Sequence, residues 1–352
     1  MRIHLPAAFF LSFIVSVGIT PLARQIAIRT GMLDYPAPRK IHRRPTPLLG
    51  GVAIYAAAIL TLLMLAAGSK IFSQTTGIVG GATLLLAVGL LDDRGLLHSQ
   101  VKLFLAMPLS ALILIVSGVR ITTFSPLLNL LGHSLYGSPL WFALNYALTF
   151  FWVIGITAAF SILDHMDGLC AGVAAIASAF FLYFAIVNGQ ILVSALAVAV
   201  LGASLGFLIH NFSPARIFMG DAGAMFLGFM MAVLGLKIRP ANVPGEISWM
   251  VPLFILSVPI FDTTLVIISR LRRGLIPFAS PGKDHTAHRL ARLGLGQIGA
   301  VLAMYSLGVI GGLLSILVAH LPVPMARWLF LLSAVSTLIA IAWLEKIPCS
   351  EA

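Results

Sequence analysis

The sequence predicts an all-α polytopic membrane protein of about 11 transmembrane helices. Of its 352 residues, 60% are hydrophobic and 9% carry charge, against roughly 25% charged in a soluble domain. Apolar runs of about 20 residues recur along the chain, and the mean hydropathy is +1.05. That run length suits a helix crossing a hydrocarbon core of roughly 30 Å. A water-soluble globule is excluded, and the chain reads as a single integral membrane domain over residues 1–352.

The apolar runs place helices at about 4–23, 48–68, 75–91, 102–119, 141–163, 171–188, 190–209, 217–236, 247–268, 296–319 and 325–344. The first run reads as a retained helix, not a signal peptide, because its basic cluster follows the apolar stretch and no small-x-small cleavage site precedes Arg24. Prolines inside runs, such as Pro108 and Pro259, are ordinary in membrane helices. The segment 121–140 is broken by Ser, Gly and Pro, and reads as a short hairpin or interfacial piece. Cys170 and Cys349 stand far apart without metal-type spacing, so neither a disulfide framework nor a zinc finger is expected.

Charge orients the spans. With the N-terminus outside, 16 of the 22 Lys and Arg fall in loops and a tail on one side, which the positive-inside rule makes cytoplasmic, together with the C-terminus. The net charge of +11 is thereby explained by the bilayer, without nucleic acid as a partner. Of the 11 acids, 10 map to that same side and only Glu246 lies opposite. The orientation rule does not ask this of acids, and carboxylates near helix depth need a partner or a polar cavity.

Asp92 and Asp93 end an inward-running helix, where the macrodipole opposes negative charge and each carboxylate repels the other. A solvated end with Arg94 as counter-ion is the alternative. Asp164 and Asp167 repeat the placement, their i,i+3 spacing putting them on one face with Ser161. Asp221 follows Gly220 at the start of an outward-running helix, where it could also simply cap the terminus. Asp262 lies about 12 Å of helix before Arg270 and is either a partner of the site or a buried acceptor. Hard carboxylate oxygens suit Mg²⁺ with water and phosphate, and six positive residues in each of the loops 24–47 and 269–295 suit a diphosphate. The expected active site therefore faces the cytoplasm.

Six stretches in chain order, GMLDYPAPRKIHRRPTPLLGG from Gly31, GLLDDR from Gly89, DHMDGLCAG from Asp164, NFSPARIFMGDAGAMFLG from Asn211, PIFDTTLVIISR from Pro259 and KDHTAHRL from Lys283, resemble the polyprenyl-phosphate N-acetylhexosamine-1-phosphate transferases. The resemblance covers roughly residues 30–295. It implies transfer of a sugar 1-phosphate, with GlcNAc-1-phosphate expected, from a UDP-N-acetylhexosamine to undecaprenyl or another polyprenyl phosphate, with release of UMP. It also implies a need for Mg²⁺ or Mn²⁺, a place in a bacterial-type plasma membrane, and cell-envelope polysaccharide synthesis. A homodimer is compatible with it.

By motif, the resemblance assigns Asp92 and Asp93 to the attacking lipid phosphate, and Asp221 to the metal, with Asp93 and the Ser161 hydroxyl as further oxygen donors. Asp164, Asp167, Asn211 and Phe218 would contact the nucleotide, with Phe218 stacking on uracil. His285 and His288 would act from the last inner loop, and Lys40 and Arg289 would hold substrate. The sequence departs from the family pattern at Ala158 and Ser161, where Asn-x-x-Asn is usual. It departs again at Ala287, the middle of a usual His-x-His-His box, and at His165, where a small or amide residue is common. Two readings of other classes compete: a transporter or flippase for lipid-linked sugars, and a degenerate member that binds or scaffolds without turnover.

Overall fold

The computed structural model describes residues 4–36, 44–67, 71–97, 99–118, 137–240, 243–277 and 282–347, and these are helical almost throughout. In order they are α1 (Leu5–Arg29), a short strand β1 (Leu33–Asp34), its partner β2 (Thr46–Pro47), α2 (Gly50–Ala66) and α3 (Phe72–Asp93). Helix α4 runs from Ser99–Val101 through a wide π-type turn, Lys102–Ala106, into Met107–Val116. Then follow α5 (Pro139–Leu163), α6 (Leu169–Val187), α7 (Ile191–Asn211), α8 (Gly220–Lys237), α9 (Gly245–Ile255) and α10 (Ser257–Arg272). A short α11 (Thr286–Leu290) precedes α12 (Gly296–His320) and α13 (Val323–Leu344).

Each predicted apolar run is helical over its described residues, the run at 247–268 being interrupted at Leu256. Among the described residues, eight helical stretches are long and apolar enough to cross a membrane, and α9 with α10 would make a ninth, bent by 74°. The two shorter apolar helices are Gly50–Ala66 and Lys102–Val116. The expected hairpin at 121–140 lies, up to residue 136, outside the described residues, as do Lys40 and Cys349.

Local chemistry explains the breaks. Pro259 cannot sit against the carbonyl of residue 255, and the chain bends between Ile255 and Ser257. Pro108 follows the wide turn of α4 for the same reason, its ring being incompatible with an ordinary turn over residue 104. The start of α5 is fixed by the Ser138 hydroxyl, which accepts the Trp141 N–H at 3.2 Å, and by Pro139 in the first turn.

Packing follows the rules of a lipid solvent, in which small residues let helices approach and polar groups are satisfied within the bundle. The buried stripe of α1 is Ala8, Ser12, Ser16, Thr20, Ala23 and Ala27, small side chains spaced three or four residues apart. Ser12 and Ser16 donate across the interface to the carbonyls of Ala199 and Ala203 in α7, at 2.6 and 2.8 Å. The Trp152 indole of α5 donates to the Ala232 carbonyl of α8 at 3.0 Å. Helix α8 is the axis of the bundle, with 89% of its apolar window enclosed by other helices. Only 11% of the α13 window is enclosed, and its exposed Leu331, Leu332, Leu338 and Ile339 present an apolar outer face.

Candidate active site

The helix directions bring Asp92 and Asp93, Asp164 and Asp167, Asn211, Asp221 and the 282–290 segment to one end of the bundle. At the other end Arg327 pairs with Glu246, and Gln190 Oε1 accepts the Arg239 N–H at 3.1 Å. Ten of the eleven acids were expected to share a side; those described do so, and Glu246 stands apart as expected.

A glycine contact assembles the acidic centre. A Cβ on Gly89 would fall 2.4 Å from Ala222 Cα, so only glycine lets α3 lie directly against the start of α8. Four residues further along α3, one turn on, Asp93 reaches the α8 N-terminus. Its Oδ1 accepts the Asp221 N–H at 2.8 Å and its Oδ2 the Ala222 N–H at 3.2 Å. Gly220 has φ +69°, and a Cβ there would meet Asp93 Oδ2 at 2.4 Å. Asp93 thus caps the free amides of α8, where the helix dipole favours a carboxylate.

Asp92 and Asp221 are joined by a cation of the chain itself. Lys102 Nζ donates to Asp92 Oδ2 and to Asp221 Oδ2, both at 2.7 Å. The wide turn at the start of α4 positions this ammonium. The Ser161 hydroxyl donates to the other oxygen, Asp221 Oδ1, at 2.7 Å. Asp164 follows the last turn of α5, and its burial, together with the charges of Asp221, Asp93 and Asp167, raises its pKa well above the usual carboxylate range.

A cavity of about 400 Å³ opens over this centre, a size typical of small-molecule sites. Asp93, Ser161, Asp164, Asp167 and Asp221 line it, with Asn211 and Phe218 alongside and Lys283 and His288 opposite. Asp34 completes the wall from β1, which pairs with β2 in the register Asp34↔Thr46. The Phe218 N–H donates to the Pro47 carbonyl at 2.8 Å, tying Phe218 to the same ribbon. Asn211 accepts the Gly168 N–H at 3.1 Å and donates to the Ile217 carbonyl at 2.9 Å, and Asp167 accepts the Ala215 N–H at 2.9 Å. These bonds fix the 164–168 turn against the 211–218 loop.

The histidine segment departs from expectation in part. His288 lines the cavity, whereas His285 faces Asp262, accepting or donating at 2.9 Å between Nδ1 and Oδ2. Asp262 also accepts the Thr286 N–H at 2.7 Å, so it is both a buried acceptor and a partner of the histidine segment. Arg289 does not reach the cavity: it is 1% exposed. Its guanidinium donates to Ser269 Oγ at 2.8 Å, to Glu345 Oε1 at 2.6 Å, and to the carbonyls of Asp284, Leu344 and Ile347. In place of a substrate contact it anchors the histidine segment to the end of α13. Asp284 is held by Arg270 at 2.9 and 3.1 Å and by Arg273. Burial alone would raise its carboxyl, but the Arg270 hydrogen bonds and charge bring the pKa down to about 2.

Residues that sequence reasoning did not assign to the site include Lys102, beneath the cavity, and Asp34, Lys283 and His165, which line it. The His165 ring lies with its centroid 3.9 Å from that of His285 and 4.6 Å from that of His288. Burial, with His285 beside it, pushes its pKa down to about 4.

Comparison with known proteins adds names to this geometry. The family profile described as glycosyl transferase family 4 matches residues 75–239, which hold every acid of the central cluster. A protein of Bacillus subtilis named as a probable undecaprenyl-phosphate N-acetylglucosaminyl 1-phosphate transferase is 36% identical over 314 residues, 88% of this chain and 83% of that one. A decaprenyl-phosphate N-acetylglucosaminephosphotransferase of Mycolicibacterium smegmatis is 32% identical, covering 83% of this chain and 76% of its own. An undecaprenyl-phosphate alpha-N-acetylglucosaminyl 1-phosphate transferase of Escherichia coli K12 is 28% identical, covering 77% and 72%.

Proposed function

This chain belongs to glycosyl transferase family 4, and from that premise we propose that it transfers a sugar 1-phosphate, GlcNAc-1-phosphate first among the candidates, from a UDP-sugar to a polyprenyl phosphate at the cytoplasmic face of a bacterial-type plasma membrane. It is a multi-pass transferase, and we place eleven spans in it with the N-terminus outside, on the strength of its basic loops. The observation that carries the reading is the Asp92–Lys102–Asp221 bridge beneath a cavity lined by acids on one wall and by Lys283 and His288 on another.

The reaction joins an acceptor phosphate oxygen to the sugar-bearing phosphorus while the bond from that phosphorus to the UMP oxygen breaks. Such a transfer asks for positioning and charge neutralisation more than for covalent help. Lys283 and His288 line the cavity with donors for phosphate oxygens, and Lys102, bonded to Asp92 and Asp221 beneath it, adds its positive charge. Of the aspartate pair, Asp93 lines the cavity with its oxygens on the α8 amides, while Asp92 is held by Lys102 beside it. Phe218 offers a ring face for the base, and Asn211 and Asp167 hold that wall in place.

Asp93, expected among the metal donors, has its oxygens on the α8 amides. The set that fits a hard divalent cation is therefore Asp221, Asp92 and the Ser161 hydroxyl, and the Lys102 ammonium between the two carboxylates marks where positive charge is held. Mg²⁺ or Mn²⁺ held there would neutralise the diphosphate. Of the departures, Ala158 and Ala287 lie outside this set and Ser161 still supplies it with an oxygen, which argues against a degenerate member. The one-sided distribution of the acids argues against a flippase, whose ionisable groups belong near mid-membrane. The test is a donor screen: detergent-solubilised protein with several UDP-sugars, polyprenyl phosphate and Mg²⁺, and mass spectrometry of the lipid product. UMP release that depends on both lipid and donor is expected. Donor-independent movement of a lipid-linked sugar across vesicles, without UMP release, would overturn the proposal.

A further inference from the structure

We infer that His165, Asp262 and His285 form a second cation site, taking a borderline transition-metal ion of the Zn²⁺ class and separate from the oxygen-lined centre at Asp221. The ligand atoms of the three residues lie within 4.8 Å of one another. His285 Nδ1 is 2.9 Å and His165 Nε2 3.8 Å from the same oxygen, Asp262 Oδ2. Bonds of about 2.0–2.2 Å at a tetrahedral zinc place neighbouring ligands roughly 3.4 Å apart, so the two separations bracket what the ion requires. Asp262 is 1% exposed, and among the described residues its carboxylate is hydrogen-bonded by the Thr286 amide and His285.

An independent observation also points to a ligand. Both ring nitrogens of His165 are buried and neither has a hydrogen-bond partner among the described residues. A buried donor or acceptor left unsatisfied is costly, and 3.8 Å is too long for a hydrogen bond to Asp262. An ion between His165, Asp262 and His285 would satisfy that ring and use the carboxylate that already orients His285. Two imidazole nitrogens and one carboxylate oxygen are the donor set of zinc-class sites, whereas Mg²⁺ prefers oxygen alone, so the two centres sort by ligand chemistry.

The consequence is mechanical. His165 belongs to the turn that carries Asp164 and Asp167, Asp262 to α10, and His285 to the segment that carries His288. An occupied site clamps these three pieces and sets the distance between the acidic and histidine walls of the cavity. This inference does not depend on the sugar or lipid used.

The test uses the full chain in detergent, stripped with a chelator and returned to Mg²⁺-containing buffer, with Zn²⁺ and Co²⁺ as probes. Wild-type protein should retain about one equivalent of Zn²⁺ through gel filtration, and its Co²⁺ form should show tetrahedral-type visible absorption. Loss of an outer-shell partner costs metal sites about 10–100-fold in affinity, so His165→Ala and His165→Gln should cost at least that, while Asp221→Asn leaves the absorption unchanged. Absence of Zn²⁺ retention, absorption that survives His165→Ala, or absorption lost in Asp221→Asn would each overturn the site. Zinc-edge X-ray absorption of the wild type settles the matter without variants: about two imidazoles per ion support it, and an oxygen-only shell refutes it. UMP release under Mg²⁺ alone is read in parallel, so that a failed metal site and a failed transferase assignment are told apart.

Discussion

Lys102 Nζ lies 2.7 Å from Asp221 Oδ2, joining the start of α4 to the start of α8 across 119 positions of sequence. The same ammonium holds Asp92 at 2.7 Å, so one positive charge serves two carboxylates that would otherwise repel each other.

Removal of that charge should separate two effects. Lys102→Met is expected to lower turnover on the order of 10²–10³-fold, the loss typical of a donor aimed at developing charge. It should also tighten Mg²⁺ binding, because Asp92 and Asp221 are left unscreened. Turnover measured across a Mg²⁺ titration checks both. A variant with ordinary turnover, or with weaker Mg²⁺ binding, would remove Lys102 from the proposed mechanism.

The α3–α8 contact should be intolerant of a single methyl group. Gly89→Ala places a carbon 2.4 Å from the Ala222 backbone, which cannot rotate away. Overpacking of this kind costs about 1–3 kcal/mol. The displacement would also pull Asp93 from the α8 amides, so activity should fall more than stability does. Thermal unfolding in detergent, read beside UMP release, makes the comparison; Gly80→Ala on the same helix, where the added carbon meets only the Ile113 side chain at 3.6 Å, is the control.

Much of this site was readable before any coordinates, for a physical reason. Asp92, Asp93, Asp164, Asp167 and Asp221 stand at helix ends in an apolar chain, where a carboxylate is conspicuous and hydropathy already reveals which ends coincide. Lys102 was hidden by the same logic: a lysine at a cytoplasmic helix end is what the orientation rule expects, and the wide turn that it opens leaves no mark in the sequence beyond Pro108. His165 showed itself only as a departure from the family pattern. The β1–β2 ribbon that positions Asp34 and Phe218 is too short to leave a period-2 signal.

Asp284 should give the histidine segment an acid-sensitive anchor. Its folded pKa of about 2 lies below the ordinary carboxylate value near 3.9, so the Arg270 pairing contributes stability fully above about pH 4. That contribution fades as pH falls through 4 towards 2. The thermal midpoint of the wild type should therefore drop over this window, and Asp284→Asn should start lower at neutral pH and lose less of it there. Parallel pH profiles of the two proteins would disprove the anchor.

Arg289 illustrates why motif position alone misassigns a role. An arginine beside a cavity histidine invites a phosphate contact, yet the helical turn that points His288 into the cavity turns its neighbour towards α10 and the end of α13. The contacts responsible, Glu345 Oε1 and the carbonyls of Leu344 and Ile347, lie more than 50 residues away in sequence. Arg289 is buried among five acceptors, and without it Glu345 keeps, among the described residues, only the exposed Arg272 at 3.4 Å, so the acceptors left unsatisfied should cost about 1–3 kcal/mol. Arg289→Gln should therefore lower folded yield and thermal midpoint. Arg289→Lys should recover little, since one ammonium cannot reproduce a planar fork that meets five acceptors. What folds of either variant should keep a KM for the UDP-sugar within about twofold of wild type, because the guanidinium does not line the cavity. A KM raised tenfold in correctly folded Arg289→Lys would return the residue to the substrate site.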